Sequence, residues 1–411
     1  MHQVTYNVRK LRSYLTNKLL PCFLSFVLLI LSSYVVIKFC KPIHIFLDEK
    51  IYIEAGRKYI NGMAPYFFNF EHPPLAKYLI GVFDVLHAGN FLPVMCIVSS
   101  IFLVSLLFNY LVDFKYASVY AVALIISDAL VINSLFFQLL DPVAILFTSG
   151  YLYAIVKCMC FNKQGCGYHW ICIAGTLAGL ALASKWSSLY VLAPTLLVFL
   201  AYRKNIKEIS LIFIVIAIAY ATSFLADLMY GGPNLFLEHH IRMIKYMSYQ
   251  HRPTLSMFLN GLPTLLCKTS LWHHRGVEYL TIWINDTSVN YNLTYINVNT
   301  LLIEFEPWLG SFNWVIALYY LPRLVRDSLK NKGPWLIITS AMLGSLALPL
   351  LHGNLGWYYL FFAILAPAIL CKYLSRKAII LLIAVNIIQV VLLQFGIINS
   401  KYSFELALSA I

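Results

Sequence analysis

Residues 19–37 read Leu-Leu-Pro-Cys-Phe-Leu-Ser-Phe-Val-Leu-Leu-Ile-Leu-Ser-Ser-Tyr-Val-Val-Ile, an uncharged run held between Lys18 and Lys38. About 20 apolar residues in helical form cross a hydrocarbon core, because the backbone must satisfy its own polar groups there. Ala88 to Val112 and Ala378 to Ser400 are likewise free of charge. Of the 411 residues, 61% are hydrophobic and 11% charged, where a soluble domain carries about a quarter. These runs exclude a soluble globular domain. They predict an all-α polytopic membrane protein with little mass outside the bilayer. Helices are expected near 19–38, 91–112, 116–136, 139–156, 170–185, 187–202, 209–226, 307–321, 334–351, 356–371 and 378–398.

The net charge of +13 would suit nucleic acid, but the positive-inside rule accounts for it better, and no nucleic-acid partner is expected. With the N-terminus cytoplasmic, the inner segments collect about 17 of the 30 cations, Arg9, Lys10, Arg12, Lys18, Arg323, Arg326, Arg376 and Lys377 among them. About eleven crossings place the C-terminus outside. The first apolar run is too long for a cleaved leader and reads as a signal anchor. The terminal Ala-Leu-Ser-Ala-Ile carries no retrieval signal. Residues 1–411 read as a single membrane domain without repeats.

Two outer segments are long enough for chemistry. The first, about 42–90, has turns at Asn61-Gly62 and Pro73-Pro74 between short interfacial helices. The second, about 227–306, carries Gly231-Gly232-Pro233, Glu238-His239-His240 and Arg242. Its semi-apolar part, Leu255 to Leu271, is expected to lie in the interface. Asn285 and Asn292 head glycosylation sequons there.

The adjacent acids Asp48-Glu49 follow the first span and precede Glu71-His72-Pro73-Pro74-Leu75-Ala76-Lys77. Two carboxylates at a membrane face, in so uncharged a chain, read as the catalytic edge of an enzyme with a lipid-linked substrate. Ionisable residues within spans are costly and mark function. Asp128, Asp141 after Gln138, and Lys185 before Trp186 are such residues, and all fall toward the outer boundary, as do His352 and Asn354. Plainer readings exist. Asp141-Pro142 can cap a helix start, Lys185 can snorkel to headgroups, and Glu71-His72 can be an interfacial turn.

The order of these elements resembles the protein O-mannosyltransferase family, within the GT-C membrane glycosyltransferases. Asp48-Glu49 and His72-Pro73-Pro74-Leu75-Ala76-Lys77 match the family's acidic pair and His-Pro-Pro-Leu-Gly-Lys, with Ala76 in place of the glycine. Ser127-Asp128-Ala129-Leu130-Val131 leading to Leu139-Leu140-Asp141 is similar to its next segment. Gly179-Leu180-Ala181-Leu182-Ala183-Ser184-Lys185-Trp186 resembles its lysine-tryptophan helix end. Beyond Asp227 the likeness thins to Gly356-Trp357-Tyr358-Tyr359. An arginine that the family carries before Leu-Leu-Asp is replaced near Phe136, so its contact is either lost or supplied elsewhere, with Arg242 and Arg252 as candidates.

The resemblance implies a GT-C type fold and transfer of a sugar, mannose in the family, from a polyprenyl or dolichyl phosphate to a Ser/Thr hydroxyl of a protein. It implies Asp48 as general base and Glu49 as an orienting acid. Lys185, with Arg242 second, would stabilise the leaving phosphate. Glu71, His72, Lys77, Gln138, Trp186 and His352 extend the substrate-binding set, and Asp128 and Asp141 would complete it by touching the sugar or would instead fix the third and fourth helices. One base on one face of the sugar implies inversion. No metal or other cofactor is expected, although His239-His240, His273-His274 and the Cys158, Cys160, Cys166 and His169 cluster keep a metal reading open. A Cys40–Cys267 disulfide is conceivable.

Partners would be the lipid-linked sugar, an acceptor protein or peptide and the bilayer, and a dimer is compatible. The expected location is the plasma membrane of a prokaryote or archaeon, which the missing soluble domain favours, or the endoplasmic reticulum of a eukaryote. Two rivals stand beside this reading. One is a GT-C transferase acting on a lipid or glycan, as aminoarabinose transferases do. The other is a transporter or lipid flippase using Asp128, Asp141 and Lys185 as a relay, although no inverted repeat supports it.

Overall fold

The computed structural model describes residues 20–42, 48–112, 116–160, 168–203, 205–250, 269–285, 288–305, 312–331, 333–352, 360–397 and 402–407; for 269–305 and 402–407 it describes the backbone alone. The described chain opens with α1 (Leu20–Phe39), α2 (Asp48–Ile60), α3 (Leu75–Val85), α4 (Phe91–Leu111), α5 (Ala117–Ile126) and α6 (Ala129–Ser134). It continues with α7 (Leu140–Cys160), α8 (Tyr168–Ser184), α9 (Leu189–Arg203), α10 (Ile206–Thr222) and α11 (Leu225–Gln250). Strands β1 (Thr269–Asn285) and β2 (Ser288–Phe305) follow, then α12 (Phe312–Asn331), α13 (Pro334–His352), α14 (Leu360–Tyr373), α15 (Arg376–Gln394) and β3 (Tyr402–Ala407).

The apolar body is helical throughout, as the charge-free runs predict. Among the described residues, α1, α4, α7 and α15 are long and apolar enough to cross a bilayer. A bent pair, Ile206–Thr222 with Leu225–Met247, passes the same test together across a 103° break. Shorter apolar helices, among them α5, α8 and α14, have 10–17 residues. A helix of 17 residues rises about 25 Å, short of a hydrocarbon core of about 30 Å. This is an integral membrane protein.

Two expectations need correction. The stretch 116–136 is not one helix. The backbone turns extended at Asp128 (φ −81°, ψ 124°), whose carboxylate accepts from Leu130 N and Val131 N and so starts α6 afresh. Trp314 Nε1 donates to the other carboxylate oxygen at 2.8 Å. A charge buried at this depth is kept by satisfying every lone pair it can. The second correction concerns the second outer segment, where the all-α expectation does not hold. Residues 269–305 form an antiparallel hairpin, and β3 pairs with β2 to give the order β1-β2-β3. Thr281-Ile282-Trp283-Ile284 and their β-branched and aromatic neighbours suit a pleated strand better than a helix. The sequon residues Asn285 and Asn292 pair there with Ser288 and Thr281. Most of the Leu255–Leu271 stretch lies outside the described residues, as do Arg252, Cys166, Asn354, Gly356 and the basic N-terminal segment.

Cys158 is disulfide-bonded, which takes it out of the metal reading of its cluster. Cys40 is a free thiol, which removes the pairing with Cys267.

The first outer segment is built on a backbone contact between α2 and α3. A Cβ on Gly56 would sit 2.5 Å from the Lys77 carbonyl oxygen, and one on Gly81 would sit 2.4 Å from the Gly56 carbonyl carbon. Below this crossing, Tyr52, Ala76, Ile80, Leu92, Cys96, Phe137, Leu139, Leu140 and Val143 form a small core of their own, separate from the large core of the bundle. That small core joins the acid-bearing α2 to the chain entering α7. Gly56→Val should therefore force α2 and α3 apart and cost about 1–3 kcal/mol or more. Thermal unfolding of the detergent-solubilised protein will show a lowered midpoint; an unchanged one would place the crossing elsewhere.

Candidate active site

Asp48 and Glu49 occupy the first turn of α2, where the amide groups of a helix start favour negative charge. Glu49 Oε1 accepts from Gln138 N at 2.8 Å, which ties α2 to the loop leading into α7. Burial pushes the carboxyls of both acids above their ordinary values. For Glu49 the Gln138 amide opposes the shift. For Asp48 the nearby Lys185 opposes it, while the negative fields of Asp141 and Glu71 add to it. The fold thus gathers Asp48, Glu71, Asp141 and Lys185 within one electrostatic neighbourhood.

Asp141 lies in the first turn of α7, with Pro142 beside it where a missing N–H costs nothing. Helix α8 ends at Ser184, and Lys185 turns extended (φ −160°, ψ 129°) before a short 3₁₀ turn at Trp186–Ser188. This turn aims the Lys185 ammonium at both oxygens of Asp141, at 2.9 and 2.8 Å. Both residues are buried, at 5% and 8% exposure. The snorkelling reading for Lys185 is therefore set aside. The side chain of Gln138 is buried too, and its Oε1 has no hydrogen-bond partner. A buried acceptor in that state calls for a ligand or a water.

Glu71 and His72 sit on a tight turn in which Asn69 takes a left-handed backbone (φ 47°) and donates through Nδ2 to Glu71 Oε1. Tyr59 Oη donates to the Phe68 carbonyl at 2.7 Å. Lys77 is fully buried and donates to the carbonyls of Asn69 and His72, the latter at 2.9 Å. Burial lowers its ammonium to about 7. Expected to meet substrate, Lys77 instead holds the turn that presents Glu71 and His72.

Other expected residues are placed apart from this group. Asp128 is fully buried and spends its oxygens on α6 amides and Trp314, a structural role. Arg242 is exposed; its guanidinium lies 3.8 Å over the Phe70 ring and donates to the Tyr66 carbonyl at 3.3 Å. Lys185 is the cation whose field reaches Asp48. His352 closes α13.

Trp186 leads to residues that sequence reasoning passed over. Its Nε1 donates to Tyr220 Oη at 3.0 Å, and Tyr220 Oη bonds His240 Nε2 at 2.9 Å. His240 Nδ1 faces the Phe236 carbonyl at 2.7 Å. His239 bonds Asp227 through Nδ1 and faces the Phe70 carbonyl through Nε2, at 2.6 and 3.1 Å. All four ring nitrogens of this histidine pair are engaged, which removes it from the metal readings. A buried Asp227 signalled only by its place at the start of a loop gave no hint of this partner. An apolar cavity of about 300 Å³ lies between α7, α8, α9 and α10, lined by Tyr151, Leu182, Leu189, Leu196 and Phe213 among others. A second, small cavity of about 30 Å³ touches Asp141, Thr148, Ser187 and Ser345.

Two solved structures share this fold. One is ArnT from Cupriavidus metallidurans bound to undecaprenyl phosphate, with a TM-score of 0.56 and 14% identity over 86% of this chain and 60% of that one. The other is the archaeal oligosaccharyltransferase AglB from Archaeoglobus fulgidus, in complex with an inhibitory peptide and a dolichol-phosphate, with a TM-score of 0.54 and 14% identity over 90% of this chain and 55% of that one. The chain therefore spans three fifths or less of the length of these two proteins. At this identity the likeness is one of fold. No family model matches the chain, and no curated protein is similar to it in sequence.

Removing one partner of a buried ion pair costs about 3–5 kcal/mol, whereas replacing both by apolar groups is often close to neutral. Lys185→Met should therefore lower the unfolding midpoint sharply, and adding Asp141→Leu should recover most of the loss. Equal destabilisation in the single and double variants would show that the pair does not hold α7 to α8.

Proposed function

We propose that this chain is a membrane glycosyltransferase that moves a sugar from a polyprenyl phosphate to an acceptor hydroxyl. The observation that carries the reading is Asp48, raised above its ordinary value by burial, beside the Lys185–Asp141 pair. Asp48 takes the proton of the acceptor hydroxyl while its oxygen attacks the anomeric carbon. The bond from that carbon to the phosphate oxygen breaks, and its electrons stay on the phosphate. Lys185 stabilises that charge in a site poor in water. Attack opposite the leaving group inverts the anomeric centre. Glu49 fixes α2 against the Gln138 loop, and Gln138 Oε1 offers a sugar hydroxyl its acceptor. The lipid tail fits the apolar cavity, whose lining residues Leu182 and Leu189 flank Lys185 in the chain. A phosphate paired with a cation leaves readily, so the step as written needs no metal or other cofactor.

Mannose and a Ser/Thr hydroxyl of a protein are the first choices of sugar and acceptor, from the motif order of the first half of the chain. In support of the donor class, two proteins that share the fold are described with undecaprenyl phosphate and with dolichol-phosphate. The peptide held by one of them favours a protein acceptor, and a lipid or glycan acceptor is the second reading. The accompanying topology puts the N-terminus inside, the C-terminus outside and the site at the outer boundary of a prokaryotic or archaeal plasma membrane.

Purified protein given radiolabelled polyprenyl-phosphate mannose and a Ser/Thr-rich peptide should label the peptide, and Asp48→Asn should reduce the rate by about 100-fold or more. Transfer that survives the substitution would remove Asp48 from the mechanism, and solute uptake by vesicles without any transfer would favour a transporter.

The pH dependence has a defined sign. Asp48 acts as the carboxylate, and its folded value lies above the ordinary 3.8, so kcat/KM should fall as pH drops through that raised value. A raised folded value also means that the contribution of Asp48 to stability is full below 3.8 and is lost as pH rises through the raised value. At neutral pH Asp48→Asn should consequently raise the unfolding midpoint while abolishing transfer. A loss of both would assign Asp48 a structural role.

A further inference from the structure

Asp227 and His239 are fully buried and belong to the same element, twelve residues apart, yet Nδ1 of the histidine lies 2.6 Å from Asp227 Oδ2. In a straight helix that spacing would separate them by about 18 Å. They meet because α11 folds at Gly232, whose backbone is left-handed and extended (φ 67°, ψ −163°), with Pro233 restarting the helix. From this fold the two side chains reach the first outer segment at both ends of one turn. Asp227 Oδ1 accepts from Tyr66 N at 3.1 Å, and His239 Nε2 faces the Phe70 carbonyl at 3.1 Å. The next residues are Glu71 and His72.

The proton count of this clasp follows from its acceptors. A carbonyl oxygen only accepts, so Nε2 carries a proton. The contact from Nδ1 to Asp227 needs a second one, whichever atom holds it. With the second oxygen of Asp227 already accepting from an amide, the charged pair of imidazolium and carboxylate is the favoured form. The pair thus holds two protons and is neutral as a unit. Removing one leaves a single ring proton, which stays on Nδ1 against the carboxylate, so Nε2 then turns a lone pair on the Phe70 carbonyl and the hold on the turn is lost.

We propose that His239 and Asp227 form a proton-dependent clasp that positions the turn carrying Glu71 and His72, and that losing one proton releases it. His239 and Asp227 are positioning residues in this account. Glu238, His240 and Arg242 on their own helix, Tyr66 on the turn, Tyr78 of α3 and Tyr220 of α10 are the other titratable groups around them. None of these substitutes for the second proton. Glu238 accepts from Tyr66 Oη at 2.6 Å, and His240 donates to a carbonyl and accepts from Tyr220, the pattern of a neutral ring. Tyrosine and arginine keep their forms through the neutral range. That the turn serves an acceptor site rests on the glycosyltransferase reading; the clasp itself does not.

The test is hydrogen–deuterium exchange at residues 66–72 of the full chain in lipid nanodiscs, across a pH series and corrected for the intrinsic rise of amide exchange. In the wild type, protection of these amides should fall about tenfold or more as the pair loses its proton. Asp227→Asn retains an oxygen for Tyr66 N and supplies an N–H to the neutral imidazole, so its protection should stay flat where the wild type opens. His239→Ala should be unprotected at every pH. A wild-type profile with no pH dependence, or an Asp227→Asn profile that follows the wild type, overturns the proposal. The comparison of those two stands if His239→Ala does not fold. Where transfer is measurable, His239→Ala should raise the KM for acceptor more than it lowers kcat. Absence of transfer in all forms, with the exchange result as expected, would sink the enzyme reading and leave the clasp.

Discussion

The contact between Lys185 Nζ and both oxygens of Asp141 is the constraint from which the rest of the site follows. Neither charge can be left alone away from water, so the end of α8 and the start of α7 have to meet. Once α7 begins there, the loop ahead of it is fixed, and Gln138 presents its amide to Glu49. Glu49 in turn brings the first turn of α2, and with it Asp48, to the same place. The acid pair that stands first in the sequence is thus positioned last in the physical argument.

The outer segment adds a second layer. Helices α2 and α3 touch backbone to backbone through Gly56 and Gly81, which leaves no freedom in the angle at which Asp48 is presented. Lys77 from α3 and Tyr59 from α2 hold the carbonyls of the intervening turn, while α11 reaches over to hold its other side. A turn carrying polar side chains is held from several elements at once. Such a platform suits the proposed transfer, which needs its acceptor hydroxyl held in attack geometry.

Much of the body was legible along the chain. Apolar runs and their charged borders marked the helices within a few residues, and the acidic pair, Asp141 and Lys185 stood out because ionisable groups are scarce there. The same scarcity misled at Lys77, and at Asp128 it left open the choice between fixing a helix and touching the sugar. Both are buried charges, but their hydrogen bonds are spent on a helix start, an indole and two carbonyls. Scarcity identifies a buried charge without saying whether its partner is protein or ligand. The strands at 269–305 were missed because hydrophobicity was read for length and not for its alternation. Tyr220 left no trace at all, since an aromatic residue near an apolar run is ordinary, and His239 stood out only as a candidate metal ligand.

What the sequence determined by itself was the solvent: a chain with so few charges, spaced by uncharged runs, can only bury its backbone polar groups as helices in lipid. It also nominated the acids and the lysine. The tertiary structure alone decided who partners whom, because the deciding contacts join residues 44, 89 and 169 positions apart. Local pattern records what each segment is dissolved in. Whether a buried charge is satisfied depends on a group that arrives from elsewhere in the chain, and only the folded molecule brings it.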